Sequence, residues 1–471
     1  RKLSARMVER VEGGRLMDNA SSRPILDSIF VRQNYEGDQC KTIELTIDST
    51  IQFMVEEALD TAVSETNPLS VTAIVMDPKT GEVLAMASRP TYNPNRFGDY
   101  PPELWKNRAV SSIYEPGSTF KSIVAAAALQ EEIVAPNDWF HDPGYVMVSE
   151  RRIQNWNGES FGTVTFTDVV KHSLNTGFAL LGLDLGAERL TKYAKRFGFG
   201  EKTGIELPGE EEGILFNPED MRDSDIATMA IGQSIAVTPL QLVTAMAAIA
   251  NDGILMKPHI VRSVRNADGS VYEETKPEEV RRVIESVTDK TLVGLLEQVV
   301  ATGGGSKAQV AGYRIAGKTG TAQKADLDRG GYMDGHYIAS FCGFAPVEDP
   351  RLVLLVVIDD PSGVYYGGQI AAPVGSRIFS QLLRYLHVEP SSDPFAGQNS
   401  GKSTPPEAPG TGSRVVVPSV LGLDAAEASL RLEAAGLKIE PSGRGIAIGQ
   451  SSPENAVLPR GTTVVVQFAP E

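Results

Sequence analysis

Apolar positions recur at Ile51, Val55, Leu59 and Ala62 behind Asp48, and that spacing predicts a helix N-capped by the aspartate. The period then changes. "SVTAIVMDPKTGEVLAMAS", residues 70 to 88, carries two apolar, β-branched runs around Asp-Pro-Lys-Thr-Gly, the pattern of two strands joined by a turn. From Ser118 to Ala250 helical patterns dominate, among them "FTDVVKHSLNTGFALLGLDLG" and "TPLQLVTAMAAIANDG", the second closed by Gly253 as a C-cap. Strand patterns return in "YRIAGKTGTAQ", "HYIASFCGFAP" and "RLVLLVVIDD", and a last helix runs from about Ala372 to Leu386. The economical topology is α/β: an antiparallel sheet built from both ends of the segment and flanked by helices, with an all-helical subdomain between.

The pattern also divides the chain. Residues 1 to 44 are polar, irregular and Arg-rich at the start, and are expected to be the remnant of a larger N-terminal region. Residues 45 to 388 carry the sheet and helices. "EPSSDPFAGQNSGKSTPPEAPGTGSR", residues 389 to 414, is rich in Pro, Gly and Ser and predicts a flexible linker. Residues 415 to 471 form a small α+β module, with Asp424 and Glu427 in capping-box spacing, Gly436 ending a short helix, and strands in "GIAIGQ" and "TTVVVQF".

Composition narrows the function classes. A chain of 471 residues, 41% hydrophobic and 22% charged, is globular and long enough for two or three domains. Its net charge of -16 argues against a phosphate-backbone partner, since nucleic-acid binders usually show a basic footprint. Two cysteines, Cys40 and Cys342, build neither a disulfide framework nor a Cys-based zinc site. Five scattered histidines offer no His-x-x-x-His pair, so no catalytic metal and no cofactor are expected. The longest apolar runs, such as Leu352 to Ile358, are far shorter than the ~20 residues of a membrane helix. Any anchor is expected to lie outside this chain.

The candidate chemistry begins at "YEPGSTFKSIVAAAAL", residues 114 to 129. Pro116 and Gly117 suit a turn into a helix and set Ser118 at its positive end. Lys121 follows three residues later, on the same face and within reach of the serine oxygen. Its neighbours Ile123, Val124 and Ala125 are apolar, and desolvation disfavours an ammonium. A lysine titrates near ~10.4, so a general base at neutral pH needs that value lowered by roughly 3, about 4 kcal/mol. Ser118 is thus a candidate nucleophile and Lys121 its base. It is the only Ser-x-x-Lys in the chain.

Ser173-Leu174-Asn175, the only Ser-x-Asn, lies 55 residues further on, inside what reads as an amphipathic helix. A hydroxyl there can relay a proton, and an amide can hold a peptide carbonyl or orient the lysine. Lys-Thr-Gly occurs three times. The copies at Lys79 and Lys202 have turn roles. Lys318-Thr319-Gly320, followed by Thr321, sits in a strand, where Gly320 lets a ligand backbone approach closely. Gly158-Glu159-Ser160-Phe161-Gly162 matches a nucleophile elbow, but the polar "SERRIQNWN" before it is not the hydrophobic strand an elbow needs. It reads as a loop.

Ser-x-x-Lys, Ser-x-Asn and Lys-Thr-Gly in this order form the signature shared by penicillin-binding proteins and class A β-lactamases. With "LTIDSTIQ", "DPKTGEVLAMAS", "TPLQL", "GKTGTAQ" and "GGQIAAPV", the stretch from Leu45 to His387 resembles a class B penicillin-binding protein, a peptidoglycan D,D-transpeptidase. Residues 415 to 468 resemble a PASTA domain. The resemblance implies the penicillin-binding protein transpeptidase fold and a set of roles. Ser118 would attack the penultimate D-Ala carbonyl of a stem peptide ending D-Ala-D-Ala, and Lys121 would be its base. Ser173 would relay the proton to the leaving amine, Asn175 would hold the substrate amide, and Lys318 would favour neutral Lys121. Backbone N–H groups of Ser118 and Thr321 would form the oxyanion hole, and Thr319, Gly320 and Thr321 would bind substrate. It further implies covalent inhibition by β-lactams, cell wall synthesis in division or sporulation, divisome or elongation partners including a glycosyltransferase, and an extracytoplasmic location behind a membrane anchor.

The resemblance has rivals and one departure. A D,D-carboxypeptidase or serine β-lactamase shares the motifs and uses water as acceptor, but the Glu-x-x-Leu-Asn loop of class A β-lactamases is missing. A non-catalytic wall-binding scaffold is the rival of another class. Gly232-Gln233-Ser234 stands where family members often have Gly-Gln-Gly.

Overall fold

The computed structural model describes residues 15–17, 41–326, 330–391 and 414–469. The predicted linker from 392 onward and Cys40 lie outside the described residues.

The apolar runs read as strands are divided between two cores. A five-stranded antiparallel sheet runs in the order Ala316–Ala325, Tyr332–Ala345, Leu352–Asp359, Ser70–Met76, Val83–Arg89. On the two central strands Ile74, Met76, Val353 and Leu355 point into one apolar cluster. Their neighbours Val71, Ala73, Val75, Leu354 and Val356 point into another, as the two-residue period of a strand requires. Both faces are covered, which is why these strands read as continuous apolar runs.

The helices Ser49–Thr66 and Gly367–Tyr385 cover one face. Asp48 caps the first, accepting from Thr50 N at 2.8 Å and Ile51 N at 3.0 Å. The buried Arg89 ties the sheet edge to that helix through Glu56 at 3.1 Å and Asp60 at 3.0 Å. The second helix starts five residues before the expected Ala372 and carries Pro373 inside it. Sequence reading stops at the proline because its missing N–H removes one intrahelical bond, and packing on the sheet outweighs that loss.

The other face is covered by the inserted subdomain, built on Lys121–Gln130, Asn175–Arg196, Pro239–Ala250 and Ser286–Ala301. It is mainly helical, not all-helical. Trp139–Asp142 pairs with Gly162–Thr165, and Tyr145–Val148 pairs with Arg151–Gln154. The second pair closes through Ser149, a serine at φ 54°, and such a turn carries no glycine to mark it. At the N-terminal end Thr42–Leu45 is a strand, held between Arg15–Met17 and Val261–Arg265, so the irregular stretch expected up to residue 44 already contains ordered sheet.

Residues 414–469 make a separate small core of Val417, Val420, Ala428, Leu432, Val464 and Val466. Its helix Ala425–Ala434 is capped by Asp424, which accepts from Glu427 N at 2.8 Å. This unit rests on the inserted subdomain: Met147 N donates to Asn455 O at 2.8 Å, and Val416 is buried in the larger core.

Candidate active site

The Pro-Gly-Ser turn is clamped from two sides before any side chain acts. Ser118, half-buried, lies in the 3-10 turn Gly117–Thr119 that leads into the helix Lys121–Gln130. Gly117 N donates to Gly232 O at 2.9 Å. A Cβ on Gly232, whose φ is 84°, would stand 1.9 Å from Gly117 O, so only glycine lets that loop touch the turn. On the other side a Cβ on Gly320 would meet Ser340 Oγ at 2.5 Å and Pro116 O at 2.9 Å. The space expected for a ligand backbone at Gly320 is therefore filled by the serine turn itself. Gly320 serves to bring the edge strand against that turn.

Lys121 is 1% exposed inside a helix whose residues from Lys121 to Ala128 are all buried. Its Nζ donates to Ser173 O at 2.8 Å, Ser173 Oγ at 3.2 Å and Asn175 Oδ1 at 2.6 Å. No bond joins it to Ser118 Oγ, contrary to the reach expected from the three-residue spacing, because all three ammonium donors are directed to the Ser-x-Asn segment. That segment is not helical either. Ser173 has φ 57° and Leu174 is extended, so the chain breaks between Phe166–Lys171 and Asn175–Arg196. The break turns the Ser173 carbonyl and hydroxyl toward the lysine. Asn175 Nδ2 donates to Gln154 O at 2.7 Å, which leaves Oδ1 facing Nζ.

Lys318 is the second buried lysine, 1% exposed, and its Nζ donates to Thr319 O at 3.1 Å. Burial lowers its pKa to about 7. Lys121 lies well below the ordinary lysine range, first through burial and then through the nearby Lys318 charge. Two ammoniums without a carboxylate partner in one dry site disfavour each other's charged form.

Thr319 and Thr321 share the half-buried side of the edge strand. Thr321 Oγ1 accepts from Gly367 N at 3.0 Å, which leaves its hydroxyl proton free to donate. The other two Lys-Thr-Gly copies hold turns: Lys79 N donates to Asp77 and its ammonium pairs with Asp349, while Thr203 N donates to Glu210 at 2.7 Å. Ser160 donates to Asp142 O at 2.7 Å, within a loop.

Two groups escaped the sequence reading. An aromatic file crosses from the second strand of the sheet to the inserted subdomain: Tyr337 stacks on Tyr365 at 3.8 Å, Tyr365 meets Tyr366 at 4.5 Å, and Tyr366 meets Trp156 at 5.2 Å. The doubled tyrosine before Gly367 was its one visible signal. The second group is the buried pair Asp142 and Asn155, hidden in a stretch polar enough to read as a surface loop.

Comparison with known proteins gives concordant matches. The penicillin binding protein transpeptidase domain family matches residues 71–380 and the PASTA domain family matches residues 415–470. Stage V sporulation protein D of Bacillus subtilis is 39% identical over 415 residues, 87% of this chain and 62% of that protein. The peptidoglycan D,D-transpeptidase FtsI of Escherichia coli K12 is 36% identical over 391 residues, 82% of this chain and 61% of that protein. The chain thus spans about three-fifths of the length of these relatives. Among solved structures, penicillin binding protein 3 of Mycobacterium tuberculosis complexed with ampicillin superposes with a TM-score of 0.70 at 34% identity, covering 78% of this chain and 82% of that one.

Proposed function

The chain belongs to the penicillin-binding protein transpeptidase family, and from that premise we propose that it is a serine D,D-transpeptidase acting on peptidoglycan stem peptides. The observation that carries the reading is Lys121, buried between Ser173 and Asn175 with a second buried lysine beside it. An ammonium uses three donors, and a neutral amine has two N–H groups and one lone pair. The Ser173 carbonyl and Asn175 Oδ1 can only accept, so they retain the two N–H groups. The lone pair is left for a hydroxyl proton.

Ser118 Oγ then adds to the carbonyl carbon of the penultimate D-Ala, and its proton passes to Lys121 Nζ. Backbone N–H groups of Ser118 and Thr321 hold the oxyanion. Ser173 Oγ relays a proton from Lys121 to the nitrogen of the terminal D-Ala as the peptide bond breaks, leaving an ester on Ser118. An amine of a neighbouring stem peptide attacks that ester, forms the cross-link and returns a proton through Lys121 to Ser118. Asn175 Nδ2 keeps one N–H on Gln154 O and has its second N–H for the substrate amide carbonyl. Lys318, with the hydroxyls of Thr319 and Thr321, meets the terminal carboxylate. β-Lactams enter the same path and stop at the acyl-enzyme, a reading supported by the similar structure complexed with ampicillin.

The relatives' names support a role in division or sporulation. Partnership with a glycosyltransferase and an extracytoplasmic, membrane-anchored location are part of the proposal. No helix among the described residues is long and apolar enough to cross a membrane.

The test is intact-mass spectrometry after incubation with a fluorescent penicillin, with peptide mapping and Ser118→Ala as control. A stoichiometric, slowly lost adduct on the Ser118 peptide is expected. An adduct elsewhere, or none, refutes the site; rapid turnover of the drug points to a hydrolase instead.

A further inference from the structure

The helix that delivers Asn175 has no cap of its own. Leu174, at its N-terminal boundary, is buried and offers no side-chain acceptor, yet a helix N-terminus inside a protein needs partners for its first N–H groups. Asn155, 20 residues upstream in sequence, supplies one. Its Oδ1 accepts from Asn175 N at 2.9 Å and lies 3.5 Å from Thr176 N.

Asn155 is in turn held rigidly. It is 1% exposed, and its Nδ2 donates to Asp142 Oδ1 at 3.0 Å, Asp142 Oδ2 at 2.9 Å and Glu159 O at 3.0 Å. Asp142, 2% exposed, also accepts from Gly144 N at 3.0 Å, Phe161 N at 2.8 Å and Thr176 Oγ1 at 2.7 Å. A buried carboxylate with this many donors fixes the amide plane of its partner. The next residue back, Gln154, binds Asn175 Nδ2 through its carbonyl. One short stretch therefore grips both the backbone and the side chain of Asn175.

We propose that Asn155, locked by Asp142, is a positioning residue for acyl transfer: it serves as a remote N-cap that sets where Asn175 and the Ser173 turn meet Lys121. The inference rests on the transpeptidase reading. The lysine gains its geometry from three oxygens of residues 173 and 175, and a shift of about 1 Å at a proton-transfer site costs on the order of a hundredfold in rate.

The experiment measures the second-order rate of Ser118 acylation by a fluorescent penicillin from pH 5.5 to 9, with thermal unfolding in parallel. Asn155→Ala should acylate tenfold to a hundredfold more slowly while still reaching full labelling. Asn155→Asp separates positioning from folding. When protonated, its acid group imitates the amide, with C=O toward Asn175 N–H and O–H toward Asp142. As the shared proton leaves with rising pH, two carboxylates face each other and the cap is lost. Lys121, whose Nζ holds Asn175 Oδ1 at 2.6 Å, is the titratable group that this network reaches; His141 and Glu159 neighbour the pair on its own segments and the His172 ring lies 5.0 Å from Phe161, and all four are common to both proteins. Relative to the unmodified protein, the rate of Asn155→Asp should be near one at pH 5.5 and fall at least tenfold by pH 9. Asn155→Ala within twofold of the unmodified rate, or an Asn155→Asp ratio that does not change with pH, overturns the positioning role. An unmodified chain that acquires no Ser118 adduct at any pH overturns the transpeptidase reading together with this proposal.

Discussion

Replacing Lys318 by methionine should make the protein more stable and less active. The lysine is fully buried with a pKa lowered to about 7 from an ordinary 10.5, and burial is the cause. The unfolded chain binds a proton there that the folded chain gives up, so stability rises with pH between the two values. The penalty is complete below about pH 7, declines by about 1.4 kcal/mol per pH unit above it, and vanishes beyond 10.5. At pH 7 it amounts to about 4–5 kcal/mol. Methionine removes it and keeps the apolar stem, while Thr319 O loses its donor, a loss of about 1–3 kcal/mol. A net gain of about 2–3 kcal/mol at pH 7 follows, shrinking to nothing or less by pH 9. Urea unfolding followed by tryptophan fluorescence is the assay. Trp105, Trp139 and Trp156 all precede residue 414 and report on the larger unit that holds Lys318. Removing the Lys318 charge also relieves Lys121, which adds to the gain in the same direction at neutral pH, while groups away from the pair are shared and cancel in the difference between the two proteins. A variant equal to or weaker than the parent at pH 7, with the same slope to pH 9, would refute the idea that Lys318 is held near neutrality. Penicillin acylation of the variant should drop, because Lys121 loses the cation that favours its neutral form.

The acylation rate of the unmodified protein should climb from pH 5 and level off well before pH 10, since Lys121 must be neutral to accept the Ser118 proton and lies well below the ordinary lysine range; a rate still climbing at pH 10 would show an ordinary lysine. Gly232→Ala places a Cβ 1.9 Å from Gly117 O at φ 84°, and should cost at least ~3 kcal/mol in unfolding experiments and slow labelling of Ser118. Arg89→Met removes the guanidinium that joins the buried Glu56 at 3.1 Å and Asp60 at 3.0 Å, and should cost about 3–5 kcal/mol in urea. Ser234→Gly relieves a serine at φ 56° and gives up its 2.9 Å bond with Thr228. The two terms are of similar size, about 1 kcal/mol each, so the midpoint of unfolding should move little.

What the sequence disclosed and what it concealed divide along the range of the interactions concerned. Strands such as Ser70–Met76 and Leu352–Asp359 were legible because a continuous apolar, β-branched run is a local property, and the fold sorts its residues alternately onto two cores. The burial of Lys121 was legible because the apolar run that follows it is local as well, whereas its three-residue spacing from Ser118 did not disclose that the ammonium turns to residues 173 and 175. Nor was the break at Ser173 legible. Val169, Val170, Leu174 and Phe178 keep a helical period straight through it and are all buried, so no apolar residue signals the change of direction. The left-handed serine is held instead by partners far away in sequence: Lys121, 52 residues upstream, on its carbonyl, and Asn155 on the helix that follows. The same holds for Asp142 and Asn155 themselves. Polarity made them look like surface, and only their mutual hydrogen bonds make burial affordable. A helix reading through Ser173 would have aimed the serine carbonyl along the helix axis, where Lys121 cannot use it. The surroundings of Lys121 therefore depend on a place where local periodicity is overruled, and Asn155, which helps to overrule it, is the residue to mutate alongside Ser118 and Lys121.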